Sequence, residues 1–270
     1  MKNYQYLIQN ILHQGDLRMD RTGVGTTALF GTMLQFPLQV GFPILTTKKV
    51  PFKVVAAELA GFLEGTENSL RMKELGAKIW DANAIAWYES SKSRSHHIHD
   101  LGRIYGVQWR NWDHKIDQLR EVVDRIKSNP SDRRLIVTAW NPSELDEMCL
   151  PPCHTHFQFF VRKGSLDCIF YMRSVDTFLG MPFDIASYAL LVHIICNEVN
   201  LKPGILTGMF ADTHIYNNHL DQCTTLLDRT PKKLPQLVLD YKATIDNFHP
   251  DMCSLEDYSP HPAIPAAMAV

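Results

Sequence analysis

Apolar and polar positions along this chain alternate between helical and strand periods. Tyr4, Leu7, Ile8, Ile11 and Leu12 recur at helical spacing before Gly15, and the stretch from Thr26 to Leu38 alternates as a half-buried strand does. Pro51 stands where a first helical turn tolerates proline, which predicts a mostly apolar helix over Phe52 to Leu63, stopped by Gly65. Glu58 lies inside that apolar run. Ile116, Leu119, Val123 and Ile126 form the stripe of an amphipathic helix that ends at Asn129-Pro130. β-Branched and aromatic residues then predict strands over Leu135 to Trp140, His156 to Arg162 and Leu166 to Met172, the last two joined by the turn Lys163-Gly164. After Pro182 the most apolar helix, Ile185 to Val199, is expected at the buried centre. A further helix is expected near Asp212 to Leu227, followed by a proline-punctuated strand region and an irregular tail from Pro260 to Val270. The periodic segments are broken by no repeat, low-complexity block or linker, which predicts one domain over residues 1–270. Mixed strands and helices without regular βαβ alternation predict an α+β fold.

Composition narrows the class. Lys plus Arg number 27 against 29 Asp plus Glu, a formal net charge of −2, so the basic excess of a dedicated nucleic-acid binder is missing, while a small anion needs only a few local cations. With 45% apolar and 21% charged residues the chain can bury a core rather than stay disordered. The six cysteines, at 149, 153, 168, 196, 223 and 253, form no CxxC pair, which argues against a disulfide scaffold or zinc ribbon and for a reducing, cytoplasmic setting. The apolar run from Ala186 to Cys196 is too short and interrupted to cross a bilayer, and no secretory leader is expected.

Several residues could carry chemistry. Leu150-Pro151-Pro152-Cys153-His154 holds a cysteine between two rigid prolines and the start of a strand, where nucleophiles are often presented; the plain alternative is a cysteine that fills the core. A nearby guanidinium would stabilise its thiolate, and Arg133, Arg134 and Arg173 fall close to strand ends. The same arginines, with Ser174, suit bidentate phosphate recognition, or else simple ion pairs with Asp132 and Asp176. If Glu58 is buried, its raised pKa would suit proton transfer. His96, His97, His99 and Asp100 cluster, but Ser91, Lys92, Ser93, Arg94 and Ser95 flank them as an exposed loop and the spacing matches no zinc signature, so no metal is expected. The glycine-rich Arg21-Thr22-Gly23-Val24-Gly25-Thr26 lacks a P-loop lysine, and Trp80 on base rates belongs to the core.

Taken in order, the segments DRTGVGTT from Asp20, FPILTTKKV from Phe42, KIWDANA from Lys78, DLGRIYGVQWR from Asp100, DRRLIVTAWNP from Asp132, LPPCH from Leu150, RSVDTFLGMPFDIASYALL from Arg173, ADTHIYNNH from Ala211 and the closing YSPHPAIPAAMAV resemble the thymidylate synthase family over essentially the whole chain. The resemblance implies an α+β fold on a large twisted sheet, two such sheets packing back to back in a homodimer. It also implies transfer of a one-carbon unit from 5,10-methylenetetrahydrofolate to C5 of a pyrimidine nucleotide. By position it makes Cys153 the thiolate that adds to C6 of the base, and it puts Arg21, Arg173 and Ser174 on the phosphate with Arg133 and Arg134 of the partner subunit. His214 and Tyr216 fall on the sugar hydroxyl. Glu58 handles protons through ordered water, and Tyr105 and His154 assist removal of the C5 proton. Trp80, Leu150, Asp176, Gly180 and Phe183 line the folate site, which the tail ending at Val270 closes.

One departure bears on substrate. Where the family has asparagine in LG-x-PFN, this chain has Asp184. The asparagine accepts from the uracil N3 hydrogen and donates to the carbonyl at position 4; cytosine presents the opposite pattern, which a protonated Asp184 matches, as does a carboxylate facing cytosine protonated at N3. The expected substrate is dCMP, with dUMP the alternative and a plain helix-capping role for Asp184 the competing reading. Met172, where many members have glutamine, gives a Met-Arg-Ser run that resembles phage deoxycytidylate hydroxymethylases and a role in DNA modification. Trp80 and the tail favour a methyl product, whereas Gly61, Asn83 and His156 also depart from family residues and leave 5-hydroxymethyl-dCMP open. A nucleotide-binding homologue without activity and a metal-binding protein using the histidines near His97 are the other readings.

Overall fold

In the computed structural model, residues 1–20, 22–90, 95 and 97–268 are described. The elements run α1 (Lys2–Gln14), β1 (Asp16–Arg18), β2 (Thr26–Pro37), α2 (Phe52–Glu64), α3 (Ser69–Leu75), α4 (Asp81–Glu89), α5 (Tyr105–Arg110), α6 (Gln118–Ser128), β3 (Ile136–Thr138), β4 (His154–Arg162), β5 (Ser165–Asp176), α7 (Met181–Val199), β6 (Lys202–Tyr216), α8 (Leu220–Leu227), β7 (Gln236–Leu239) and β8 (Cys253–Glu256). The architecture is mixed α+β. A six-stranded sheet takes the order β1-β2-β6-β5-β4-β3, and β7 pairs separately with β8. Neighbours in the large sheet are antiparallel except β5 and β6, which run parallel because α7 crosses between them.

Local sequence explains most of these elements. Phe52 opens α2 behind Pro51, and Gly65, in the left-handed region at φ 66°, closes it by donating back to the last-turn carbonyls. The α6 stripe buries Leu119, Val122, Val123 and Ile126, while Ile116 lies outside the helix and is exposed. Buried residues circle almost the whole of α7, which packs on β5 and β6 and forms the centre of the core.

Two further expectations change. Asp212 to Tyr216 belongs to β6, and the following helix starts only at Leu220, after a 3-10 turn over Asn217–His219. β6 lies between β2 and β5, and most of its residues are buried, so it lacks the alternation that marks a half-covered strand. The buried central helix also begins earlier than expected, at Met181 rather than Ile185, with Gly180 in the N-cap position.

Candidate active site

Cys153 sits where the prolines feed into β4. Its backbone N–H donates to Tyr105 Oη at 2.9 Å, and its carbonyl accepts from the Arg173 N–H at 2.9 Å. A register shift between His154 and His156 in the β4–β5 pairing lies beside it, the kind of irregularity that re-aims side chains at strand ends. Arg173 is fixed against the same turn: Nε donates to the Pro152 carbonyl at 2.8 Å and Nη2 to that of Pro151 at 3.2 Å. That leaves Nη2 3.9 Å from Cys153 Sγ, with the guanidinium 5.5 Å over the Trp140 ring. A cation held there favours the thiolate. Of the three arginines considered from the sequence, Arg173 alone is seen at the cysteine within this chain. Arg133 and Arg134 are exposed in the α6–β3 connection, where Arg134 pairs with Asp132 at 3.2 Å.

Carboxyl groups face one another across the site. Glu58, half-buried on α2, accepts from Trp80 Nε1 at 2.9 Å, and burial pushes its pKa up to about 7. Asp184, in the first turn of α7, is pushed well above the usual carboxylate range by burial and by the nearby charges of Glu58 and Asp176. The N-cap of α7 is Gly180, whose carbonyl accepts from the Asp184 N–H at 3.2 Å. Asp184 therefore stands inside the first turn of α7, past the N-cap at Gly180, rather than at the N-cap itself. Asp176 at the end of β5 accepts the Phe178 and Leu179 N–H groups at 2.9 and 3.0 Å and so caps the turn into α7.

The parallel β5–β6 register sets Ser174 beside Asp212 and Asp176 beside His214. His214 Nδ1 is 3.0 Å from Asp212 Oδ1, and its ring meets Tyr216 edge-on at 5.1 Å. Tyr105 stacks on His154 at 4.0 Å and meets Trp80 at 6.1 Å. Burial raises Tyr105 far above the ordinary phenol and lowers His154 to about 3, so both are neutral at ordinary pH. The sequence reading missed two contributors, Trp140 beneath Arg173 and Tyr188, whose hydroxyl lies 2.8 Å from His154 Nδ1. Tyr188 carried no separate signal because it sits inside the apolar run of α7. Arg21, His96 and Val270 lie outside the described residues. Among the described residues no group of three or more His, Cys, Asp or Glu side chains converges as a metal site, and no helix is long and apolar enough to cross a membrane.

The sequence pattern that defines thymidylate synthase matches residues 2–270. The chain belongs to the thymidylate synthase family. The family's chemistry is folate-dependent one-carbon transfer to C5 of a pyrimidine nucleotide, with methylenetetrahydrofolate as co-substrate. Of the residues expected at the folate site, Trp80 is buried and Leu150, Asp176, Gly180 and Phe183 are partly buried.

Proposed function

We propose that the protein transfers a one-carbon unit to C5 of dCMP, giving 5-methyl-dCMP. The reading rests on one observation: Asp184 lies in the first turn of α7, past its N-cap, and carries a carboxyl group raised well above its usual range by burial and by the nearby Glu58 and Asp176. A protonated Asp184 donates to N3 of cytosine with one oxygen and accepts from the 4-amino group with the other, the reverse of what uracil requires. As charge builds on the ring, the proton at N3 neutralises it.

In this reading Cys153 adds to C6 as a thiolate, with Arg173 steadying its charge and, with Ser174 and Arg21, holding the phosphate. Glu58, with its pKa near 7, exchanges protons at working pH. Tyr105 and His154, both neutral, assist removal of the C5 proton by orienting the water that accepts it, while His214 and Tyr216 hold the sugar. Trp80, Leu150, Asp176, Gly180 and Phe183 receive the folate, which supplies the carbon and, for a methyl product, a hydride. Exclusion of water favours the methyl product over 5-hydroxymethyl-dCMP. Supporting that choice, the tail is tied down: the His261 N–H donates to the Thr46 carbonyl at 2.8 Å, Arg229 to that of Pro262 at 2.6 Å, and His219 Nε2 lies 2.7 Å from the Ala267 carbonyl.

A homodimer in which Arg133 and Arg134 reach the partner's phosphate site belongs to the same proposal. It is supported by the exposure of both arginines and of Phe30, Met33, Phe160, Ile169 and Met209 on the sheet. The deciding assay offers purified protein methylenetetrahydrofolate with equal dCMP and dUMP and identifies products by mass. Modified dCMP, its mass separating methyl from hydroxymethyl, is the expected result. dTMP alone would mean that Asp184 does not read cytosine.

A further inference from the structure

His154 is flanked by two phenols that hold it differently. Tyr105 stacks flat on the imidazole, with 16° between the rings, whereas Tyr188 meets it edge-on with its hydroxyl 2.8 Å from Nδ1. Tyr188 is itself fixed by Phe170, stacked on it at 4.3 Å, and is only 2% exposed. A neutral imidazole carries one ring hydrogen, so the Nδ1 contact permits two arrangements: the phenol donates to Nδ1 and the hydrogen sits on Nε2, or Nδ1–H donates to the phenol oxygen.

Counting donors separates the two. Nδ1 is the hydrogen-bond partner of the Tyr188 hydroxyl among the described residues. If the ring donated to it, the phenolic hydrogen would be stranded in the core, at a cost of about 1–3 kcal/mol. If the phenol donates, every hydrogen on that buried side is used, and the ring hydrogen stands on Nε2, which bonds to no described residue. Burial agrees with both groups being neutral, lowering His154 and raising Tyr188.

We infer that Tyr188 is a positioning residue that locks His154 in the Nε2–H tautomer, so that His154 serves the reaction as a fixed hydrogen-bond donor and never as a base. The lock acts from the core side of the ring, opposite the edge that Nε2 presents. An acceptor bound there, a water or an oxygen or nitrogen of the ligand, is oriented by a donor whose direction is set before binding, which spares reorganisation during the reaction. Proton removal from C5 then falls to water, which the neutral Tyr105 phenol can orient. The kinetic part of this inference rests on the proposed one-carbon transfer; the tautomer does not.

Protein labelled with 15N at histidine, with the His154 signals assigned by their loss in His154→Gln, should show Nδ1 in the unprotonated range and Nε2 in the protonated range without ligand. A protonated Nδ1 in the wild-type protein would overturn the inference whatever the variants do. Tyr188→Phe should move the His154 ring nitrogens to values averaged over two tautomers. It should also lower kcat about tenfold, one hydrogen bond's worth, while the nucleotide KM stays within about threefold. Ring signals unchanged in Tyr188→Phe, or a kcat within about twofold of wild type, would each count against the lock. The spectrum is read on free protein and kcat on whichever pyrimidine nucleotide turns over, so failure of the dCMP assignment leaves this test standing.

Discussion

A thiol beside a fixed guanidinium gives up its proton more readily than one in an apolar core, and this contrast separates Cys153 from other cysteines of the chain. Cys168 is buried and pushed far up, and Cys223 up to about 12, whereas Arg173 stands 3.9 Å from Cys153 Sγ. Cys153→Ser should therefore reduce turnover by roughly a thousandfold or more while nucleotide affinity, measured by equilibrium binding, changes little. Asp184→Asn should swing the dCMP-to-dUMP ratio of kcat/KM towards dUMP by at least about a hundredfold, read from the same competition assay. An unchanged ratio would remove Asp184 from base recognition. For Glu58 the sign follows from burial. Its folded pKa, about 7, lies above that of an exposed carboxylate, so the folded state holds a proton that the unfolded chain has already lost. The stabilisation is full at low pH and disappears as pH rises through about 7. Glu58→Gln should accordingly gain stability relative to wild type between about pH 5 and 8, seen as a rising difference in denaturation midpoint. Cys153 and Glu58 stand out in the sequence as candidates because one follows a pair of prolines and the other breaks an apolar run, whereas Arg173 is marked there only by its place near a strand end. The Tyr188 contact was not legible there, since it depends on α7 and β4 meeting from positions 34 residues apart.

At the scale of elements, the site depends on how closely α5 approaches α2, since these helices carry Tyr105 and Glu58. Gly106 makes that approach: a Cβ there would collide with the backbone of Phe62 rather than with a movable side chain. Gly106→Ala should cost about 1–3 kcal/mol in chemical denaturation and lower kcat by shifting Tyr105, and an unaffected denaturation midpoint would show that the helices can part. Gly61 differs, because a Cβ there meets the Met72 thioether, a flexible group. Met72 thus fills the room beside Gly61. Periodicity revealed α1, α2, α6 and the β4–β5 hairpin, whose faces are unequal. It did not resolve β6, because most of that strand is buried and the few exposed positions, Met209 among them, do not recur with a period of two, so Asp212 to Tyr216 reads as part of the helix that follows.

At the scale of the molecule, the large sheet is covered on one face and bare on the other. Phe157, Phe159 and Phe170 are buried on the covered side, whereas Phe160 is 62% and Phe30 81% exposed, on the face that the proposed dimer would cover. The strand alternation contained this asymmetry, but an exposed apolar residue in a sequence looks the same as a buried one. Phe160→Lys should shift the protein from dimer to monomer in sedimentation equilibrium and take activity with it. If Arg133 and Arg134 complete the partner's phosphate site, the loss follows from geometry rather than from damage at Cys153. A mixing experiment separates those causes. A double variant, Arg133→Ala with Arg134→Ala, lacks the donated cations, and Cys153→Ser lacks the nucleophile, so each should be nearly inactive alone. In a heterodimer of the two, one site draws its thiolate from the arginine variant and its arginines from the cysteine variant, and is whole. Random re-association of a two-fold dimer makes half the dimers mixed, so the mixture should recover about a quarter of wild-type activity. A mixture that exchanges subunits yet stays inactive would confine Arg133 and Arg134 to their own protomer and leave the bare sheet face without a part in the chemistry.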